Sequence, residues 1–595
     1  MNAQTLNDIF FTVVDRDSAC VLMHKQSGQW TNVSSRELYS KVAATARVLK
    51  NWGMTKGDRA AILSENRPQW AIADFATMMI GSVVVPVYPT LTADQIGWLL
   101  RDAGVRVVFL STVEQLKKVR AIQSQTPVEK IVIMDDVPDS DAIPMSTFWQ
   151  SAPAGRDAAL DAEARTLTSD DIATIIYTSG TTGQQKGAIL THGNLAANIT
   201  HSMEGYPPIT DQELYISFLP LSHVTARHVD YEMYYRGMTL VYQPDINKLL
   251  ETLQEIRPTI FVGIPRVYEK IRHNVEHKAA TGLKKKIYTW AMKVGRSHRD
   301  TVLKGETPTA ASWKLANKLL YVKVREALGG RVKFFISGGA PLGRELAEWY
   351  ADIGIRVHEG YGLTETSPVI ALNSPEHHRL GTVGRVLSNV EVRIADDGEI
   401  LARGPSIFKG YWNRPDETAK CFEGDWFKTG DIGHLDADGY LSITDRKKDL
   451  IKTSGGKFIA PQPIESALKN HELISEAAVL GDRRKFAAAL IRPDFDLLQA
   501  WATENGVSCE QRSELIRHPK VVALYEGLLN EVNGKLAQFE KMKKFMLIGD
   551  DFTIANGFLT PTMKLRRRAI EEKYKQEIEA LYAEPKPEPQ PTPVR

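Results

Sequence analysis

The chain has 595 residues, 43% hydrophobic and 25% charged, the composition of an ordinary globular protein too long for one core, so at least two domains are expected. A formal charge of +2 carries no general attraction for polyanions, and nucleic acid is not implied as a partner. Cys20, Cys421 and Cys509 lie far apart without a CxxC, which argues against a disulfide framework or a zinc site; no basic, apolar leader opens the chain and no run of 18 apolar residues occurs, so the setting reads as cytoplasmic and any membrane contact as peripheral.

From Arg59 to Val137 short apolar runs (RAAIL, VVVPVYP, VRVVFLS, IVIMDD) alternate with helical ones, the pattern of a βα series on a mostly parallel sheet. Thr92 with Gln95 three residues on predicts a capping box for one of those helices. Strand-like runs recur at Ile172 to Tyr177, Thr259 to Gly263 and Val332 to Ser337, each leading into a Gly- or Ser-containing loop, and such loops at strand ends are where α/β sheets bind ligands. Thr281 to Ala327 reads as a basic amphipathic helical insertion, for which a solvated surface outweighs membrane docking. After Asp445 the pattern becomes that of a smaller α+β module, with EAAVLGD and FAAALIR as strands and a helix from Lys520 to Leu536. The ending AEPKPEPQPTPVR cannot bury enough apolar surface to fold. The expected organisation is therefore a large α/β domain over 1–445 with βα-type mixed sheets, a smaller α+β domain over 446–582, and a disordered tail over 583–595.

The most informative segment is Tyr177-Thr-Ser-Gly-Thr-Thr-Gly-Gln-Gln-Lys-Gly187, directly after the strand IATIIY. Its glycines let backbone amides approach an anion, while the hydroxyls of Thr178, Ser179, Thr181 and Thr182 and the ammonium of Lys186 add donors and charge, which suits a polyphosphate. No GxxxxGK[ST] spacing can be drawn through it, so it is not a Walker A loop. Taken alone, a Ser/Thr/Gly-rich surface loop explains it equally well.

YTSGTTGQQKGAILTHGNL resembles the signature loop of the adenylate-forming superfamily, which includes acyl-CoA synthetases, luciferases and the adenylation domains of peptide synthetases. The resemblance continues in order through FLPLSHVTAR, GIPRVYEKI, ISGGAPL, EGYGLTETSP, WFKTGDIGHLDADGYLSITDRKKDLIKTSGGKFIAPQPIE and NGFLTPTMKLRRR, from about Val21 to Arg568. It implies an acyl-CoA synthetase/luciferase-like fold whose small C-terminal domain is a mobile lid. It also implies the chemistry: a carboxylate attacks the α-phosphate of ATP, pyrophosphate leaves, and the acyl adenylate is passed to a thiol. By the same resemblance the loop from Thr178 through Gly180 and Gly183 to Lys186 binds phosphates, Thr364 reaches the α-phosphate, and Glu365 holds Mg2+. Tyr361 and Gly362 with Gly338, Gly339 and Ala340 receive the adenine, and Asp431 and Arg446 the ribose. Lys564 is the adenylation lysine, although spacing alone also fits one more cation in a basic run with Arg566, Arg567 and Arg568. Lys448 is the hinge, Gly455 and Gly456 flank the path of coenzyme A, and His223 lines the junction of acyl and adenylate or is a satisfied core histidine.

The motifs LPLSHVTARHVDY and GIPRVYEKI and the long insertion after them are similar to those of bacterial long-chain fatty acyl-CoA synthetases, which makes a fatty acid, ATP and coenzyme A the expected substrates. A fatty acyl-AMP ligase that delivers to a carrier protein, a luciferase-like oxygenase and a noncatalytic nucleotide-binding relative are the alternatives. A homodimer and a peripheral contact with the inner face of the membrane stay open.

Overall fold

The computed structural model describes residues 3–137, 141–152, 155–178, 185–210, 212–454, 457–509, 511–553, 556–560 and 565–583. The chain divides into two compact units, Met1–Ile443 and Thr444–Arg595. Apart from Ala583, the proline-rich tail expected over 583–595 lies outside the described residues.

In the large unit the βα alternation forms as expected. The strands Arg59–Leu63, Val83–Val87, Val107–Leu110 and Lys130–Ile133 are parallel neighbours, joined through the helices Pro68–Met79, Ala93–Ala103 and Val113–Ile122. Their side chains are buried almost throughout, the continuous apolar run of a sheet covered on both faces. The helix Ala93–Ala103 opens on the capping box of Thr92 and Gln95 and closes on left-handed Gly104. Ile172–Thr178 joins this sheet parallel to Val83–Val87; Lys186–Thr191 then returns antiparallel and pairs with Gly410–Tyr411 at the edge.

A second sheet of nine strands carries Leu214–Ser217, Ile260–Gly263, Phe334–Ser337 and Val357–Gly362 side by side and parallel. A third, antiparallel sheet contains Glu391–Ile394, Glu399–Arg403 and Trp426–Leu435. The first two sheets are tied together by a buried polar network. Arg227 pairs with Asp74 and donates to Thr174 Oγ1 at 2.7 Å and Tyr231 Oη at 2.6 Å, although both members of the ion pair are almost wholly buried. Removing one partner would leave a buried charge uncompensated at a cost of about 3–5 kcal/mol, so the network fixes how the helix Val224–Arg236 sits on the strand leading to the phosphate loop.

The same helix buries Asp230, whose carboxyl is pushed up to about 8 by burial. Because this pKa is raised above its unfolded value, the protonated form favours folding below pH ~4 and the benefit is lost as pH rises toward 8. The isosteric Asp230→Asn change is therefore expected to flatten the decline of the thermal midpoint between pH 5 and pH 9. Parallel declines in variant and parent would show that Asp230 is already ionised in the fold.

The basic insertion forms the 22-residue helix Gly282–Leu303, followed by Ala311–Ala316. In the small unit Ile474–Leu480 and Ala487–Pro493 are antiparallel strands, and a third strand, Met542–Leu547, lies parallel to the latter. The helix expected from Lys520 to Leu536 runs instead from Pro519 to Asn533. It starts early because proline suits the first helical position, where His518 accepts the Lys520 N–H at 3.3 Å. It stops early because the Asn533 side chain bonds both backbone groups of Met542, turning the chain into the third strand.

Candidate active site

The parallel strands of the nine-stranded sheet present their carboxyl ends along one edge, where an open α/β sheet takes its ligand. The sequence-expected residues follow those ends: His223 after Leu214–Ser217, Gly338–Ala340 after Phe334–Ser337, and Tyr361–Glu365 at the end of Val357–Gly362. The first sheet meets this edge: Ser222 Oγ donates to the Val87 carbonyl at 3.0 Å, and Asn66 Nδ2 reaches the Leu219 carbonyl at 2.8 Å.

Gly338 donates to the Gly263 carbonyl at 3.2 Å, and a Cβ placed on it would meet nothing nearer than the Gly360 carbonyl at 3.9 Å. With Gly339 and Ala340 exposed, this leaves bare backbone against which a flat base can lie. Gly362 has the opposite reason for being glycine, since a Cβ there would stand 1.8 Å from the Pro368 carbonyl oxygen. That tight turn holds the short 3-10 segment Thr364–Thr366, in which Thr364 is buried and Glu365 half-buried.

Tyr361 Oη donates to Asp431 Oδ2 at 2.7 Å, so the aromatic ring and the carboxylate expected to bracket a nucleoside are joined directly. Asp431 is 3% exposed and its backbone N–H donates to Thr429 Oγ1 at 3.1 Å, which fixes the carboxylate on the strand Trp426–Leu435. His223 caps the helix Val224–Arg236, its Nδ1 accepting the Thr225 N–H at 3.1 Å.

The two ends of the expected phosphate loop are held by side-chain contacts. Tyr177 donates to Asp102 Oδ2 at 2.7 Å, and Asp102 also pairs with Arg414. Thr178 ends one strand and Lys186 begins the next, and Lys186 Nζ lies 2.5 Å from Glu417. Ser179, Gly180, Thr181, Thr182 and Gly183 lie outside the described residues, as do Gly455, Gly456 and Lys564. In the small unit, the Arg446 N–H donates to Asp445 Oδ1 at 2.6 Å, and the Arg446 carbonyl accepts from Asp449 and Leu450, so a tight turn carries Lys448.

Sequence reasoning missed three groups here. Tyr411 Oη donates to Glu365 Oε1 at 2.7 Å. Glu417, between Lys186 and Lys420, is held down to about 2 by those two ammonium groups. Glu359, in register with Ser337 on the strand below Tyr361, is pushed up to about 7 by burial, with the Leu342 N–H at 3.3 Å opposing the shift. The first two lie in the segment FKGYWNRPDET, an aromatic pair after a glycine followed by an acidic helix start.

Among the described residues no three His, Cys, Asp or Glu side chains gather as a cation site. The donor set at Glu365 nevertheless fits Mg2+, a hard cation commonly held by one or two carboxylates together with substrate phosphates.

Comparison with known proteins agrees with this geometry. Residues 13–412 match the family model described as AMP-binding enzyme, and 448–586 that of the AMP-binding enzyme C-terminal domain. The chain is 36% identical over 574 residues to the long-chain-fatty-acid--CoA ligase FadD15 of Mycobacterium bovis, covering 96% of this chain and 95% of that one. It is 31% identical over 622 residues to the human long-chain-fatty-acid--CoA ligase ACSBG1, covering 98% and 86%. In fold it is similar to ATP-bound MatB from Rhodopseudomonas palustris, with a TM-score of 0.70 at 24% identity over 97% of this chain and all of that one. With two family models matched in sequence order and relatives aligned from end to end, the chain belongs to the AMP-binding enzyme family.

Proposed function

We propose that the chain is a long-chain-fatty-acid--CoA ligase, which uses ATP to make an acyl adenylate with release of pyrophosphate and then transfers the acyl group to coenzyme A, releasing AMP. The observation that carries this reading is Tyr361, at the same strand end as Glu365, joined to the buried carboxylate of Asp431, with Lys186 linked to Glu365 through Tyr411. The full-length similarity to long-chain ligases supports the substrate class.

Two anions must meet in the first step, so the residues are needed for charge neutralisation and alignment rather than for a strong base. A carboxylate oxygen bonds to the α-phosphorus as the bond to the bridging oxygen breaks, and pyrophosphate carries away that electron pair. Lys186 and the loop amides take the departing phosphates, Thr364 faces the α-phosphate, and Lys564 bridges the two reacting anions. Tyr361 stacks on adenine and Asp431, with Arg446, holds the ribose. Glu365 would hold Mg2+ together with the nucleotide, and the ion would supply further neutralisation of phosphate charge. In the second step the coenzyme's own sulfur attacks the acyl carbonyl and AMP leaves, so no catalytic cysteine is needed. By the family resemblance Lys448 is assigned as the hinge residue, and Gly455 and Gly456 as residues of the thiol path.

Thioester formation measured over acids from acetate to oleate tests the substrate class. Each buried methylene is worth about 0.8 kcal/mol, so kcat/KM should climb steeply with chain length until the acyl pocket ends. A profile that is flat, or that peaks at acetate, contradicts it.

The reading includes a cytoplasmic enzyme that meets the anionic face of a membrane through the helix Gly282–Leu303. No acidic residue occurs between Glu276 and Asp300, while Lys284, Lys285, Lys286 and Lys293 are exposed beside Leu283, 72% exposed, and Trp290, 36% exposed. Lys284, Lys285 and Lys286, the third to fifth residues of the helix, oppose its dipole, a cost that an anionic surface would offset. Reversing Lys284, Lys285 and Lys286 to Glu should weaken binding to phosphatidylglycerol vesicles by about a hundredfold at low salt, at about 1 kcal/mol per lysine. Equal co-sedimentation of variant and parent would contradict the contact.

A further inference from the structure

The segment Phe408 to Cys421 holds together two parts of the site that are far apart in sequence. The Trp412 N–H donates to the Gly187 carbonyl at 2.7 Å and the Lys409 N–H to Ile189 at 3.3 Å, gripping the strand that leaves the phosphate loop. The Phe408 N–H donates to the Glu365 carbonyl at 2.9 Å, gripping the turn that carries the carboxylate. The segment is itself locked. The Tyr411 N–H donates to Thr418 Oγ1 at 2.9 Å, and Gly410, at a φ of +137°, has no room for a Cβ, which would stand 2.5 Å from Thr418 Cγ2.

From this frame the half-buried Tyr411 points its hydroxyl at Glu365 Oε1, 2.7 Å away, with the edge-on Phe408 ring 5.0 Å from its own. The Lys186 ammonium lies 5.2 Å from its ring centroid. A glutamate side chain gives up much rotamer freedom when fixed, and a hydroxyl that donates to one oxygen removes that freedom in advance while leaving the lone pairs of the other oxygen available.

We propose that Tyr411 is a positioning residue for the divalent cation: its hydroxyl orients the Glu365 carboxylate toward the nucleotide's phosphates, and its ring aligns Lys186 on their other side. This rests on the reading of Glu365 as the cation's carboxylate, and the test separates the two.

Equilibrium binding of ATP to the full chain, by calorimetry with Mg2+ and again with EDTA, is measured for the parent, Tyr411→Phe and Glu365→Gln. Tyr411→Phe keeps the ring and loses only the donor. It should weaken Mg2+-dependent ATP binding about tenfold, the worth of one hydrogen bond to a charged group, with binding in EDTA unchanged. In turnover the half-saturating Mg2+ concentration should rise while KM for the fatty acid holds, a split that general destabilisation would not give. If Glu365→Gln abolishes the Mg2+ effect and Tyr411→Phe leaves it intact, the positioning role is overturned and the metal reading stands. If neither variant alters the Mg2+ effect, the metal reading falls and the positioning role with it. A loss in Tyr411→Phe that is equal in Mg2+ and EDTA assigns Tyr411 to general nucleotide binding and also overturns the proposal.

Discussion

Lys564→Ala is expected to lose most fatty-acid-dependent pyrophosphate release while still converting supplied acyl-AMP and coenzyme A to thioester. In the first half-reaction negative charge builds where the carboxylate meets the α-phosphate, and the ammonium proposed for this position would stabilise the transition state more than the separated reactants. Removing a preorganised donor of this kind costs about 10²- to 10³-fold in rate. In the second half-reaction the adenylate is already formed and the sulfur attacks the carbonyl carbon, so this ammonium has no developing charge to meet. Single-turnover assays of each half-reaction measure the split. Equal losses in both would instead make Lys564 one more cation of the basic run.

Asp431→Ala should be the most damaging change to nucleotide use within the large unit. Asp431 is almost fully buried and accepts from Tyr361. Its removal takes away the carboxylate proposed to accept the ribose hydroxyls and releases the ring expected to lie on adenine. Hydrogen bonds to a charged group are worth about 1.5–3 kcal/mol each, so losing two lowers kcat/KM for ATP by about 10²- to 10⁴-fold. The KM for fatty acid should hardly move, and Asp431→Asn should fall between the two. Comparable losses toward both substrates would show that Asp431 supports the fold of the sheet rather than the nucleotide.

Local periodicity made the βα series legible, because each strand between Arg59 and Ile133 is a short apolar run bounded by its own helix signals. The strand Met542–Leu547 escaped because its exposed Lys543 and Lys544 break the apolar alternation, and only its parallel neighbour Ala487–Pro493 supplies the reason for a strand. The end of the helix at Asn533 was equally hidden, since the asparagine acts on Met542, nine residues away. Residue types at the site were legible because each belongs to a contiguous motif. What joins them was not: Tyr411 reaches Glu365 across 46 positions and Lys186 reaches Glu417 across 231. Such pairs exist only once the edge strand Gly410–Tyr411 has found Lys186–Thr191, a contact no local pattern encodes.

Activation of a carboxylate at the α-phosphorus of ATP is the chemistry proposed for this edge. The most direct measurement incubates the purified chain with Mg2+, oleate, coenzyme A and ATP labelled at the α-phosphate, then separates the nucleotide products. Label is expected in AMP, in equal amount to oleoyl-CoA and pyrophosphate, and dependent on the acid. Label accumulating in ADP, or ATP left intact with every carboxylic acid supplied, would contradict it.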